Sequence, residues 1–471
     1  MMKRYKWPIT TLVLLTAAWL LAACHDDALS DGQSITVAEP SATSYLNLRI
    51  IGTSAAATRA TAAEENAVYD GILCIFEGNS ETEARLKSAT VIDQLVNNPG
   101  NSTSVNITQR LAVGTHPYNG KRYVLVLLNT TATGFSVTAG TLYHHGTALT
   151  GSTISDIKNI EIDAVGSTDE HVGLFMANAP QSDGTIMPQL PAASLFNTPE
   201  AAASGSRLTI SVERAAARIS VSDETTALTA INLNGNSQQH PVVHKMTWSI
   251  NNRQQKSYAV RHAPSPYANW ATSVSGTPLS LTAADFSLWP QLSYSNDEQY
   301  IAENTSATET EVVVELQLKD QNSMLIHEGF VFHPYGDYAE NVFTDFYTSA
   351  EQYINYLKTG LPPENKYWFG LGGEENADIF KYATIVIQAD GSVEMSLHNN
   401  NFDAEKQANL DNLARFLSER TTAFRDGKIY YTYKISHTVS SDDNRNGVVR
   451  NNAYNLRLTD GSISAIGRPQ P

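Results

Sequence analysis

The chain has 471 residues, of which 17% are charged and 42% hydrophobic, and its formal charge is −16. This is the composition of an ordinary globular protein, long enough for two or three domains with buried cores. The acidic balance argues against a nucleic-acid partner, because phosphate binding needs a density of Lys and Arg, and otherwise it serves solubility.

The N-terminus reads as a targeting segment. Lys3, Arg4 and Lys6 precede an apolar run from Ile9 to Ala23, too short for an ordinary membrane span and carrying the charge layout of a secretory signal. The run closes on Leu21-Ala22-Ala23-Cys24, which looks like a bacterial lipobox. Residues 1–23 are then a signal peptide cut before Cys24, whose thiol takes a diacylglycerol. The alternative is a conventional A-x-A cleavage site beside an incidental cysteine. Residues 24–44 are small and polar and read as a tether. Of the two cysteines, only Cys74 would remain a thiol. With no disulfide framework, stability has to come from packing, and Cys74 itself, inside an apolar strand, reads as a small core residue.

From Tyr45 onward strand signals dominate. Tyr45 to Ile51 alternates, with Leu46, Leu48 and Ile50 on one face and Tyr45, Asn47, Arg49 and Ile51 on the other. Thr53 to Asn66 (TSAAATRATAAEEN) follows as a soft linker of small residues around Arg59, and a second strand covers Val68 to Phe76. "YVLVLLNT" (123–130), "RLTISVERAAARISVS" (207–222, bent near Ala215), "MTWSI", "TEVVVELQL", "GFVFH", "YATIVIQ" and "KIYYTYKIS" carry further β patterns bounded by Asn, Asp, Gly and Pro. Helical periodicity is confined to two stretches: Tyr353, Ile354 and Leu357 before Gly360, and Leu410, Leu413 and Leu417 in "FDAEKQANLDNLARFLSER". Many strands with a few helices predict β-sandwiches with inserted helices. A Pro/Ser/Gly/Ala-rich break at 180–206 predicts an N-terminal domain over 45–205 and a C-terminal one over 206–471. No solenoid repeat is visible.

Catalytic and metal chemistry find little support. His240 and His244 have a metal-like spacing, but Pro241 and the following strand oppose a shared helix face. Asp442, Asn444 and Asn446 imitate the opening of a calcium loop, yet the twelfth position is Ala453, so a polar hairpin turn is expected. The glycines of "GLGGEEN" (Gly370 to Asn376) lack a phosphate-binding lysine, and Glu64-Glu65 and Glu374-Glu375 are merely adjacent. Trp248, Trp270, Trp289 and Trp368 could line a glycan platform, although tryptophans in strands are usually core. No enzyme, cofactor or metal is expected.

Several motifs in order resemble the fimbrillin family, the type V pilins of Bacteroidales: the lipobox, the first strand, the Arg-bearing linker and "EENAVYDGILCIFEG" (64–78), then "VERAAARISV" (212–221) and "KIYYTYKIS…NGVVRNNAYNLRLTDGSISAIGRP" with Val449-Arg450-Asn451-Asn452. The likeness touches both ends and the middle of the chain. It implies two transthyretin-like β-sandwich domains and an outer-membrane lipoprotein precursor whose first strand is removed by an arginine-specific, trypsin-like protease. It further implies subunits that polymerise on the cell surface by strand exchange. Partners would be other fimbrial subunits, the protease, the precursor's lipid anchor and a host or bacterial surface ligand. Arg59-Ala60 then resembles the scissile bond. Three buried aliphatics in the first strand would contribute about 1.5–3 kcal/mol each, and their loss would open unpaired edges to a neighbour's strand. Family shaft subunits carry a further donor segment after their C-terminal block. This chain stops at Pro471, so the expectation is a tip or capping subunit that accepts a strand without donating one. Its strand Tyr454, Leu456, Leu458 is then core-facing and retained. Two rivals are a glycan-binding lipoprotein that never polymerises and a surface hydrolase with a cleft of convergent carboxylates.

The lipobox generates the first prediction. Metabolic labelling with a fatty-acid analogue tags the wild-type chain and leaves Cys24→Ser unlabelled. Equal labelling of both would dismiss acylation at Cys24.

Overall fold

Strand formation follows the apolar patterns, and helices appear where capping residues and 3.6-residue periodicity coincide. In the computed structural model the described residues are 43–52, 67–92, 95, 104–113, 118–163, 165, 172–223, 242–262, 274–275, 278–281, 298–320, 322–333, 346–360, 370–371, 376–440, 443–458 and 467–469. They lie in one compact unit, Thr43–Pro471, and the fold is mainly β, of the β-sandwich type.

The first half supplies strands β1 (Ser44–Gly52), β2 (Gly71–Gly78), β3 (Arg85–Val91), β4 (Ser104–Leu111) and β5 (Lys121–Leu128). A small meander follows, β6 (Phe135–Thr138), β7 (Thr141–His144) and β8 (Thr147–Ala148), and then helix α1 (Ile154–Lys158). The chain continues through β9 (Glu161–Ile162), β10 (Met176–Asn178), β11 (Leu195–Phe196), α2 (Pro199–Ser204) and β12 (Arg207–Arg214). Eight of these strands form one sheet in the order β11-β1-β12-β10-β5-β2-β3, with β4 also paired to β1. Strands β2 and β5 read as unbroken apolar runs because the sheet is covered on both faces. Cys74, Phe76, Leu125 and Leu127 enter one core, whereas Leu73, Ile75, Val124 and Val126 enter the other.

At Ala215 the chain leaves this sheet for β13 (Ala216–Asp223). The first sheet therefore continues through Arg214, past the compositional break, and residues 180–206 themselves contain β11 and α2. The second half adds β14 (Val242–Asn251), β15 (Ser257–Tyr258), β16 (Glu298–Ala302), β17 (Glu311–Lys319), β18 (Glu328–Phe332) and β19 (Phe346–Tyr347). Helices α3 (Ala350–Thr359) and α4 (Asn376–Phe380) come next, followed by β20 (Ala383–Ile387), β21 (Val393–Leu397) and α5 (Ala404–Glu419). The last strands are β22 (Thr421–Arg425), β23 (Lys428–Lys434), β24 (Ser436–Ser440), β25 (Asp443–Asn446) and β26 (Ala453–Leu458).

Sheet β16-β13-β26 and sheet β14-β17-β23 share one core. Ile219 and Val221 come from the first, and Trp248, Val312, Val314 and Leu316 from the second. The two helices expected from periodicity form as read. Ser349 and Asp403 accept hydrogen bonds from the backbone N–H groups of Gln352 and Lys406, capping α3 and α5. Tyr353 and Leu357, and Leu410, Leu413 and Leu417, face a further core with β18, β21 and β22.

A buried ionic cluster sits where the chain passes between sheets. Arg450 is 1% exposed; its Nη2 donates to Ser257 Oγ (2.9 Å) and the Tyr258 carbonyl (2.6 Å), and its Nε pairs with Glu303 at 3.3 Å. Beside it, Arg261 and Glu213 pair at 2.8 Å, both buried. Burial pushes the Glu213 carboxyl up, and the neighbouring Arg261 and Arg450 pull it back. Removing one member of such a set strands an uncompensated charge. Arg450→Ala is therefore expected to lose about 3–5 kcal/mol, measured as a lower urea midpoint. A change below about 1 kcal/mol would show the cluster to be solvated.

Candidate assembly site at the first strand

Strand β1 alternates as its sequence demands. Leu46, Leu48 and Ile50 are 0%, 0% and 1% exposed and enter the core that β5 and β12 line with Val126, Ile210 and Val212. Alternation by itself fits an edge strand or an inner one. Strand β1 is inner. One edge runs antiparallel to β4 from Ser44↔Leu111 to Ile51↔Ser104. The other runs parallel to β12 from Asn47↔Arg207 to Gly52↔Val212, with β11 pairing Tyr45 and Leu46.

The second face of β1 is partly covered, because α2 packs on it. Asn47 is 5% exposed; its Nδ2 donates to the carbonyls of Ala203 (3.4 Å) and Gly205 (3.3 Å), and its Oδ1 accepts from Arg207 Nε (3.3 Å). These bonds satisfy carbonyls at the end of α2 that have no partner within the helix. Ser44 Oγ donates to the Val113 carbonyl at 2.5 Å. Withdrawal of β1 would thus leave an apolar groove with unpaired backbone on both β4 and β12.

The chain resumes after β1 under a separate clamp. Asn129, in the left-handed region at φ 56°, accepts from the Tyr69 N–H (2.8 Å) and donates to the carbonyls of Ala67 (2.9 Å) and Leu174 (2.8 Å). Asp70 accepts from the Thr130 N–H and hydroxyl (both 2.6 Å) and from the Thr131 hydroxyl (2.8 Å). Sequence reading missed both residues; an Asn closing an apolar strand is the one available signal. The clamp holds the entry to β2 by contacts that do not involve β1. Arg59, Ala60 and Cys24 lie outside the described residues.

Strand β26 pairs parallel to β13, from Arg218↔Ala453 to Asp223↔Leu458. Tyr454 and Leu456 are half-buried against the second core, whereas the side chain of Leu458 lies outside the described residues. The Tyr454 hydroxyl accepts from the Val449 N–H (2.9 Å) and lies 3.0 Å from His437 Nδ1. Burial pushes the Tyr454 phenol up and the His437 imidazole down.

Other candidates resolve into ordinary structure. Asp443–Asn446 forms β25, antiparallel to β24, so this segment is a hairpin arm. Trp248 is 2% exposed in the second core; Trp270, Trp289, Trp368, His240, Glu64, Glu65, Glu374 and Glu375 lie outside the described residues. His244 is exposed on β14. Cys74 is buried among apolar neighbours, which pushes its thiol up to about 12.

The described architecture belongs to the β-sandwich class, and comparison with solved structures gives its particular neighbours. The chain is similar to a fimbrial assembly protein from Parabacteroides distasonis ATCC 8503, at 13% identity over 59% of this chain and 84% of that one (TM-score 0.33). It is also similar to a fimbrilin from Porphyromonas gingivalis W83, at 10% identity over 59% and 72% (TM-score 0.32). A third is the tip fimbrial protein of Porphyromonas gingivalis with a C-terminal truncation, at 12% identity over 60% and 79% (TM-score 0.31). Each of these three is described as a fimbrial protein. No family model and no curated protein matches the chain.

The two faces of the first sheet generate a thiol prediction. Cys74 faces the core away from β1, whereas Ile107, opposite Leu48 on β4, faces the β1 core. Native Cys74 is expected to resist thiol reagents before and after removal of β1. A cysteine introduced as Ile107→Cys should become reactive only after removal. Simultaneous exposure of both would mean that the sheet collapses without β1.

Proposed function

We propose that this chain is a structural, non-enzymatic subunit of a cell-surface fimbria. In this reading it is exported as a lipoprotein on Cys24, cut after Arg59, and assembled when a neighbour's strand takes the place of β1. The observation that carries the proposal is the combination at β1: an inner strand with three fully buried aliphatics, joined to the fold through residues 53–66 and followed by an independent clamp at Asn129 and Asp70.

Chemistry and topology support it together. Burying Leu46, Leu48 and Ile50 is worth on the order of 5–9 kcal/mol, so an empty groove has a strong drive to refill. Main-chain pairing on two edges gives an incoming strand its affinity, and alternate apolar residues give it selectivity. Among the described residues, Glu213 bonds to Arg261, Glu315 to Lys428 and Tyr430, and His437 to Tyr454. The subunit is read as two β-sandwich domains that divide near Ala215. Strand β26 stays with β13 in this reading, held by its ladder and by the Tyr454 hydroxyl more than by apolar burial.

Limited trypsin digestion tests the proposal. It is expected to yield a folded chain beginning Ala60-Thr61-Ala62, identified by mass spectrometry. After release of β1, that chain binds a synthetic copy of Ser44–Gly52 and binds the copy carrying Leu48→Asp at least ~100-fold more weakly, since an unpaired carboxylate would enter an apolar core. First cuts inside the sheets, or equal binding of the two peptides, would overturn the reading.

A further inference from the structure

We propose that Asn451 closes the far end of the groove left by β1 and so fixes the length and register of the strand that replaces it. The inference rests on the strand-replacement reading above. It comes from following the backbone of β12 into β13. At odd positions this backbone turns toward β10: Ala179 N–H donates to the Ser211 carbonyl (2.8 Å), and Ala215 N–H to the Phe175 carbonyl (2.9 Å). Alternation along an extended strand turns the even positions to the opposite edge, where β1 lies from Arg207 to Val212.

That same edge continues beyond Ala215 and is covered there by the end of the chain. Asn451 N–H donates to the Ala216 carbonyl (2.8 Å), Arg218 N–H donates to the Asn452 carbonyl (2.9 Å), and β26 takes over to Asp223. One even position, Arg214, lies between the two strands. Its N–H donates to Asn451 Oδ1 at 3.4 Å, and its Nε to the same oxygen at 3.2 Å. Asn451 is 8% exposed and sits in the left-handed region at φ 60°, a conformation that Asn tolerates better than most residues. Its side-chain amide therefore stands where the next backbone carbonyl of a longer strand would stand. A strand entering the groove can pair as far as Val212 and then meets an occupied donor. The groove fits the nine residues of β1, and a strand reaching further has to displace Asn451.

Two measurements test this on the protein cut after Arg59, before and after β1 is released. Amide exchange on the wild-type chain is expected to show Ile210 and Val212 losing protection when β1 is removed and regaining it with a synthetic copy of Ser44–Gly52. Arg214 should stay protected throughout. The second measurement compares that peptide with one lengthened at its C-terminal end by Thr-Val. The wild type and Asn451→Asp, which keeps the acceptor oxygen, should bind the two equally. Asn451→Gly keeps the backbone conformation but loses the acceptor, and should bind the longer peptide about tenfold more tightly, as expected for two added hydrogen bonds. Loss of Arg214 protection together with Val212, or the same gain in all three proteins, would overturn the role of Asn451 and leave strand replacement standing. Failure of every peptide to bind any of the proteins would overturn both.

Discussion

One extended run of backbone, from Arg207 to Asp223, carries the rest of the structure. Its first part lies between β1 and β10 in the eight-stranded sheet, and its second lies between β26 and β16. Because alternate residues point to alternate edges, the first and the last of the described strands share one edge of it. Both pair with it in parallel. Parallel partners cannot be joined by a tight turn and must come from elsewhere in the chain. Here they come from opposite ends of it, 160 residues before and 235 residues after the positions they pair with, as the Asn47–Arg207 and Ser220–Asn455 bonds show.

This arrangement separates what β1 stabilises from what the remaining sheet needs. Strand β1 fills a core of its own face with Leu46, Leu48 and Ile50, while the other face of β2 and β5 packs into a different core. The clamp at Asn129 and Asp70 fastens the chain just before β2 without using β1. Strand β1 thus contributes apolar side chains to one of the two cores that the sheet separates. By contrast β26 is half-buried and sits outside β13, and its hold is polar as much as apolar. The two strands on the shared edge thus differ in how much apolar surface each withdraws from water.

The seam between the sheets is ionic where the cores themselves are apolar. Arg450, Glu303, Arg261 and Glu213 bring two pairs of opposite charge into a buried space. Such sets add little net stability over an apolar filling, but their geometry is exacting, and they hold the turn that presents Asn451 to Arg214.

The sequence by itself determined the local elements. Alternation fixed which residues of β1 face inward, unbroken apolar runs marked β5, and leucine periodicity marked α5 from Ala404 to Glu419. These features depend on residues a few positions apart, which a pattern can carry. Tertiary structure alone decided that β1 is inner, that β11 and α2 of the Pro- and Ala-rich stretch pack on it, that Arg450 is buried, and that the Asn451 side chain accepts from the Arg214 N–H. The reason is physical. Every backbone N–H offers the same donor and every C=O the same acceptor, so a strand's sequence states which face is apolar but not which distant strand will lie along its edge. Likewise a charged side chain can be buried only where partners from other parts of the chain converge, and that convergence exists only once the sheets are in place.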